Sequence, residues 1–455
     1  VSTGPNTAYG ANIVNRIERI PFSSWHAKMV SVVGTATFFD AFDALAIAYI
    51  MPVLIPLWHI KPSAIGFLIS VGYIGQLIGA LFFGWLAERV GRKRVLIACA
   101  IVLGVFAVVS AFSWGYWSLF VFRFLQGIGL GGEVPVAASY ISEWSKAKGR
   151  GRFFFLYEML FNVGLVVVAL LGYLLVPSLG WQSMLIIGAI PAIVVPIFLS
   201  RFPESPRWLA AHGRGEEAGS ILSRVEKIVS KNGQRPLPEP AVAVQLVEER
   251  ATNWGELFKG IYAKRTPLVW LLWFCVYFVN YGMATWLPSL YTSVFKVTVQ
   301  TALLYSLITA FCGLLADFVW ATIIDKTGRK PWLIVSFIGS TLALGILWLT
   351  GVSTPALLLI FTSINMVFIG PLSLGMYLYS AELYPTRMRA LGNGAGTGWL
   401  RIASIIGPSV VGAVVGGGGS LKSMIGIFAV VAFVGLIVSL FATETKNRVL
   451  EEVSP

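Results

Sequence analysis

The sequence predicts an all-α membrane protein whose twelve transmembrane helices form two six-helix pseudo-repeats. Three observations carry that reading. The 455 residues are 56% hydrophobic and 12% charged, with a mean hydropathy of +0.78, too apolar for a soluble chain of this length. Apolar windows long enough to cross a bilayer recur six times before a polar central segment and six times after it. Landmarks in the polar loops repeat across that segment at a nearly constant offset.

Residues 1–27 form a polar N-terminal segment. The first six windows, 28–57, 63–87, 95–113, 117–142, 153–176 and 183–200, build an N-terminal bundle over 28–200. Residues 201–266 read as a linker with short amphipathic helices: Ala218, Ile221, Leu222, Val225 and Ile228 recur at helical spacing before "RPLPEP" breaks the pattern. The windows 267–291, 299–324, 332–350, 355–381, 390–416 and 422–442 build a C-terminal bundle over 267–442, followed by a tail, 443–455. Cys99, Cys275 and Cys312 all fall inside spans and propose no disulfide framework.

The net charge of +13 orients the chain. Lys61, Lys296 and Lys422 lie in one set of loops and Arg123 and Arg401 inside spans; the other basic residues fall on the opposite face. By the positive-inside rule, both termini, the linker and the Arg- and Lys-rich loops are expected in the cytoplasm. A charge placed in this way explains topology and does not call for a nucleic-acid partner.

"GWLAERVGRKR" supplies Glu88, Gly91 and Arg92, and "ATIIDKTGRKP" supplies Asp325, Gly328 and Arg329. "SEWSKAKGRGR" and "AELYPTRMRALG" each set an acid seven residues before an arginine, Glu143 with Arg150 and Glu382 with Arg389. "PESPRWL" and "TETKNRVLEE" close the two halves with Glu204 and Glu444. Parallel repeats with a binding site between them near the midplane are a transporter plan. A carboxylate at a helix C-terminus is disfavoured by the dipole, so Glu88 and Asp325 need the nearby Arg92 or Arg329. Plain membrane anchoring would explain the basic residues but not the repeated acid and glycine.

The first of these loops resembles the signature between the second and third helices of the major facilitator superfamily, and the resemblance covers nearly the whole chain. It implies that these eight charged residues, Glu88, Arg92, Glu143, Arg150, Asp325, Arg329, Glu382 and Arg389, latch one state of an alternating-access cycle. "RFLQGIGLGGEVP", "PESPRWL", "NYGMATWLPSLY" and "YSAELYPTRMRALG" resemble the branch that holds organic ion transporters, synaptic vesicle glycoprotein 2 proteins and bacterial niacin transporters. The first span is also similar to the D-G-x-D pattern of aromatic acid/proton symporters, with Ala41 in place of the glycine.

Ionisable side chains inside a bilayer cost ~2.5 to 3.5 kcal/mol each and usually face a cavity or the bundle interior. Seven stand out: Asp40 and Asp43 in the first span, Arg123 and Glu133 in the fourth, Glu158 in the fifth, Asp317 in the eighth and Arg401 in the eleventh. Asp40 and Asp43 share one helical face, so a proton or a cation must satisfy them. Arg123 is the natural counter-ion if the first and fourth spans pack together. An acid that is alternately protonated and paired with arginine couples transport to protons, with Glu158 as a further candidate; a static ion pair is the alternative. Arg401 is available to bind a carboxylate through two parallel hydrogen bonds, or else to pair with Asp317.

Tyr281, Trp286, Tyr377 and Tyr379, with Asn280, Asn365 and Ser373, lie in the spans that line the cavity in the superfamily, and Phe161 and Asn162 follow Glu158. Lipid-facing or packing roles explain any one of them; together they suggest a flat ring read at its edge by amides. "GIGLGGE" lies inside a span with no preceding strand, so close helix packing explains it better than dinucleotide binding. His26, His59 and His212 are scattered and offer no metal cluster.

The resemblance implies a monomeric secondary transporter of the bacterial inner membrane, without cofactor or nucleic-acid partner. It would import a small aromatic carboxylate, nicotinate foremost, with protons. A benzoate-type aromatic acid/proton symporter or a sugar porter is the alternative transport reading, and a non-transporting receptor or binding protein the alternative class. An enzyme ranks last.

Overall fold

The computed structural model describes residues 5–21, 23–144, 150–230, 237–238 and 254–446; it does not describe the side chains of 5–11, 150–159, 325, 386, 387 and 390. Among the described residues the secondary structure is entirely helical. Helix α1 (Pro5–Arg19) precedes α2 (Ser24–Trp58), α3 (Pro62–Val90), α4 (Arg92–Ala111), α5 (Tyr116–Trp144), α6 (Arg150–Leu179), α7 (Gln182–Gly188) and α8 (Pro191–Leu199). The central segment contributes α9 (Pro206–Ala211) and α10 (Gly215–Val229), and a 3-10 turn at Trp254–Phe258. Helices α11 (Tyr262–Phe295), α12 (Val299–Thr327), α13 (Arg329–Thr350), α14 (Pro355–Leu383), α15 (Thr386–Gly416) and α16 (Leu421–Leu440) complete the chain.

Among the described residues twelve segments are long and apolar enough to cross a membrane, as the windows predict. The sixth, Gln182–Leu199, is split into α7 and α8, where Pro191 removes a backbone donor. In α10, Ala218, Leu222 and Val225 turn inward, whereas Ile228 is exposed. Helix α1 was not foreseen. Its Ile13, Ile17 and Ile20 are buried, and it packs on α9 and α10.

Glycine lets α3 and α5 lie almost backbone to backbone. A Cβ on Gly75, Gly79, Gly127 or Gly131 would strike a carbonyl of the facing helix, which bears out the packing role expected of "GIGLGG". The first six spans meet the last six along α3 with α15, α6 with α12 and α2 with α11. Helices α3 and α15 are closest near the end of the bundle that carries the short loops. There a Cβ on Gly66 would lie 2.7 Å from the Pro408 carbonyl, and one on Gly412 3.0 Å from that of Pro62. Ser70 Oγ donates to the Ile405 carbonyl at 2.7 Å and bonds Ser409 Oγ at 2.8 Å, which completes this seam.

Candidate functional site

At the opposite, linker end, each half carries a charge cluster built on the same plan. Arg92 donates to Glu88 Oε1 at 2.8 Å and to Glu143 Oε1 at 3.2 Å. Arg329 donates to both carboxylate oxygens of Glu382, from Nη2 at 2.9 Å and from Nε at 3.1 Å. The pairs therefore run Arg92 to Glu143 and Arg329 to Glu382, while Arg389 donates to the Ala381 carbonyl at 2.8 Å. Arg150 and Asp325 lie outside the described side chains. Glu204 and Glu444, noticed in the sequence only as landmarks, cap the N-termini of α4 and α13. Glu204 accepts from Lys93 N at 3.1 Å, and Glu444 from Arg329 N and Lys330 N at 3.0 and 3.1 Å. Gly91 and Gly328 turn with φ of 112° and 98°, and a side chain on Gly328 would reach within 2.6 Å of Glu444 Oε2.

Inside the membrane the aspartate pair is divided. Asp43 Oδ1 accepts from Arg123 and from Gln126, both at 2.7 Å, in a site where neither charged side chain is more than 4% exposed. Gln126 follows Arg123 by three residues and orients it, its Oε1 accepting from Arg123 Nη1 at 3.2 Å. Asp40 stands about 60° around the helix from Asp43, since a helical residue turns through 100°. It is instead a wall of a central cavity, lined also by Tyr73, Gln76, Phe161, Tyr281 and Arg401. Arg401 acts on Asp40 electrostatically across this space, and its Nε has no hydrogen-bond partner.

The cavity's aromatic wall follows from i, i+4 spacing on α11. Trp273, Tyr277 and Tyr281 form a ladder, with Tyr277 stacked on Trp273 at 5.4 Å and 9°, and Tyr281 on Tyr277 at 5.6 Å and 15°. Tyr73 meets Tyr281 edge-on at 5.8 Å, and Tyr277 donates to the Ser373 carbonyl at 2.9 Å. Tyr377, Ser373 and Phe161 also line this space. Tyr73, Gln76 and Tyr277 were missed in the sequence; the visible signal was polar atoms within the apolar "SVGYIGQLIG" and "CVYFVNYG".

Other residues lie elsewhere. Asn162, Asn280 and Asn365 line a second cavity that meets the first at Tyr281 and Ser373. Trp286 lines neither cavity: its position in the helical turn points it at α15, where Nε1 donates to the Pro408 carbonyl at 3.1 Å. Tyr379, two residues past Tyr377 and so on the far side of α14, lines neither cavity and bonds the backbone of Thr443. Asp317 accepts from Asn162 at 2.6 Å and is no partner of Arg401. Glu133 is buried and accepts from Thr37 at 3.2 Å. The side chain of Glu158 lies outside the described residues.

The family model described as "Sugar (and other) transporter" matches residues 27–455. The chain belongs to this family. This transporter is 32% identical to the niacin transporter NiaP of Acinetobacter baylyi, over 97% of its own length and 99% of that protein's. It is 28% identical to the 4-hydroxybenzoate transporter PcaK of Pseudomonas aeruginosa, over 89% of its own length and 90% of that protein's. Among solved structures, a partially occluded inward-open conformation of the xylose transporter XylE from E. coli matches with a TM-score of 0.70 at 19% identity. That match covers 94% of this chain and 100% of that one and shows a shared fold. The family and these relatives are transporters, not enzymes.

Proposed function

We propose that this transporter imports a small aromatic carboxylate, nicotinate, together with protons. One observation carries the reading: a single cavity joins Arg401, Asp40 and a set of aromatic rings. A flat ring fits between aromatic faces. Its carboxylate takes a bidentate pair of hydrogen bonds from Arg401, which is Asp40's counter-charge while the cavity is empty. Once the substrate engages Arg401, Asp40 loses that compensation in a water-poor space and takes up a proton. Substrate and proton then favour each other's binding, and release of both resets the site. Asp43, held by Arg123 and Gln126, is the static member of the pair.

The 32% identity to a niacin transporter favours nicotinate, and the 28% identity to a 4-hydroxybenzoate transporter makes a hydroxybenzoate the second reading. The basic residues at the linker end support a cytoplasmic side for that end, and with it both termini, in a bacterial cell. The closed α3–α15 seam then corresponds to the state that faces the cytoplasm. The bundles over 28–200 and 267–442 move as units of a monomer, and the linker-end charge clusters bias which state is populated.

Thermal stabilisation of the purified protein by nicotinate, nicotinamide, 4-hydroxybenzoate, benzoate and xylose tests the reading. Nicotinate should stabilise strongly and nicotinamide weakly. Arg401→Lys, which keeps the charge but loses the planar fork, should weaken nicotinate at least about tenfold, or about 1.4 kcal/mol. Equal stabilisation by the acid and the amide would overturn the anion site, and stabilisation by xylose alone the substrate class.

A further inference from the structure

The second cavity holds a carboxylate for which the central site has no use. Asp317 lies on α12, where the two halves meet, and among the described residues its one hydrogen bond comes from Asn162 across the seam with α6. Its Oδ1 is buried without a hydrogen-bond partner, and no basic side chain lines the cavity among the described residues. A bare carboxylate in such a place requires a counter-charge.

Two kinds of occupant would supply one, a metal cation or a proton. The amides nearby favour the proton. Asn162 turns its amide nitrogen, a donor, toward Asp317. Asn365, another wall of the cavity, has its Oδ1 occupied by the Ser340 hydroxyl at 2.6 Å and leaves a buried Nδ2 without a partner. Amide N–H groups repel a metal ion, whose shell needs several oxygens.

We propose that Asp317 is a second proton-binding site, which controls the seam between α6 and α12. Ionised, the carboxylate is tied to its donor, Asn162, and resists losing it. Protonated, it is a neutral group that crosses an apolar seam at far lower cost, so the loaded site lets the halves move. Two other titratable groups line the cavity, Tyr49 of α2 and Tyr281 of α11. Helices α13 and α14 add none to its lining among the described residues, and Glu158 of α6 lies one turn before Asn162 with its side chain outside them. The inference rests on the proton-driven reading above, but its first readout needs no substrate.

Infrared difference spectra between acid and alkaline buffer should show protonated-carboxyl bands, one of which is lost in Asp317→Asn and retained, displaced in frequency, in Asp317→Glu. Asn162→Ala, which removes the donor to the charged form, should carry that band to higher pH. In proteoliposomes, Asp317→Asn should move one proton fewer per nicotinate than wild type. Survival of every band in Asp317→Asn, loss of the same band in Glu158→Gln, or transport by wild type that requires sodium would overturn the proposal. If the Asp317 band is present but nicotinate neither binds nor moves, the substrate reading fails and the proton site stands.

Discussion

Two aspartates three residues apart meet different surroundings because about 60° of helical rotation sends one to an arginine and the other to a cavity. Asp43 shares Arg123 with Gln126 where almost no solvent reaches, so removing its charge strands a buried guanidinium. Asp43→Asn should therefore destabilise the protein by about 3 to 5 kcal/mol, the usual cost of breaking a buried pair from one side. A large fall in Tm would show it. Asp40 has no hydrogen-bond partner among the described residues, and Asp40→Asn mimics its protonated form. That variant should keep a near wild-type Tm and lose accumulation of nicotinate driven by a proton gradient. The assignment is wrong if the two phenotypes are exchanged, or if Asp40→Asn concentrates nicotinate as wild type does.

Among the elements, the α3–α15 seam is the gate that the proposed transport cycle calls for at the short-loop end. Gly66 and Gly412 let the two backbones touch, and Ser70 bridges them. A bulky side chain at Gly66 meets backbone at Pro408, which cannot swing aside as a side-chain tip could. Gly66→Leu should thus disfavour the state closed at the short-loop end and shift the population toward one open there. In a background without Cys99, Cys275 and Cys312, a cysteine placed at Ser70 should react faster with a membrane-impermeant thiol reagent when Gly66 is leucine. Equal labelling rates with glycine and leucine at that position would remove the seam from the gate.

For the whole molecule, α1 ties the N-terminal segment to the central linker. Arg16 and Arg19 both bond Glu226, at 2.8 Å each, and Ile13, Ile17 and Ile20 are buried in the same cluster as Leu222 and Val225. Burial pushes the Glu226 carboxyl up, but hydrogen bonds and charge from Arg16 and Arg19 outweigh it and hold the group below its ordinary value. A depressed carboxylate stabilises the folded form above its unfolded pKa, and that contribution is lost as pH falls through the folded value. Docking of α1 should accordingly be full at neutral pH and weaken in acid, below the ordinary range of glutamate. High salt should also loosen it, because the pair is partly solvated. Hydrogen exchange of the amides over residues 12–20 provides the measurement: Glu226→Gln at neutral pH should lower their protection factors toward those of the wild type in acid. Unaltered protection in that variant would leave the buried isoleucines as the whole of the attachment.

The sequence by itself determined the number of spans, the repeated plan and the list of charges that the membrane must hide. Hydropathy is local, and each spanning helix satisfies its own backbone, so such features are legible one window at a time. Tertiary structure alone decided the partners. The rotation of each helix, and the neighbour it meets, set Asp43 on Arg123, turned Asp40 toward Arg401 and joined Asp317 to Asn162. The same rotation took Trp286 and Tyr379 away from the cavity and brought Tyr73, Gln76 and Tyr277 into it. Each of these outcomes depends on contacts between helices far apart in the chain, for which the spacing of residues within one helix holds no record.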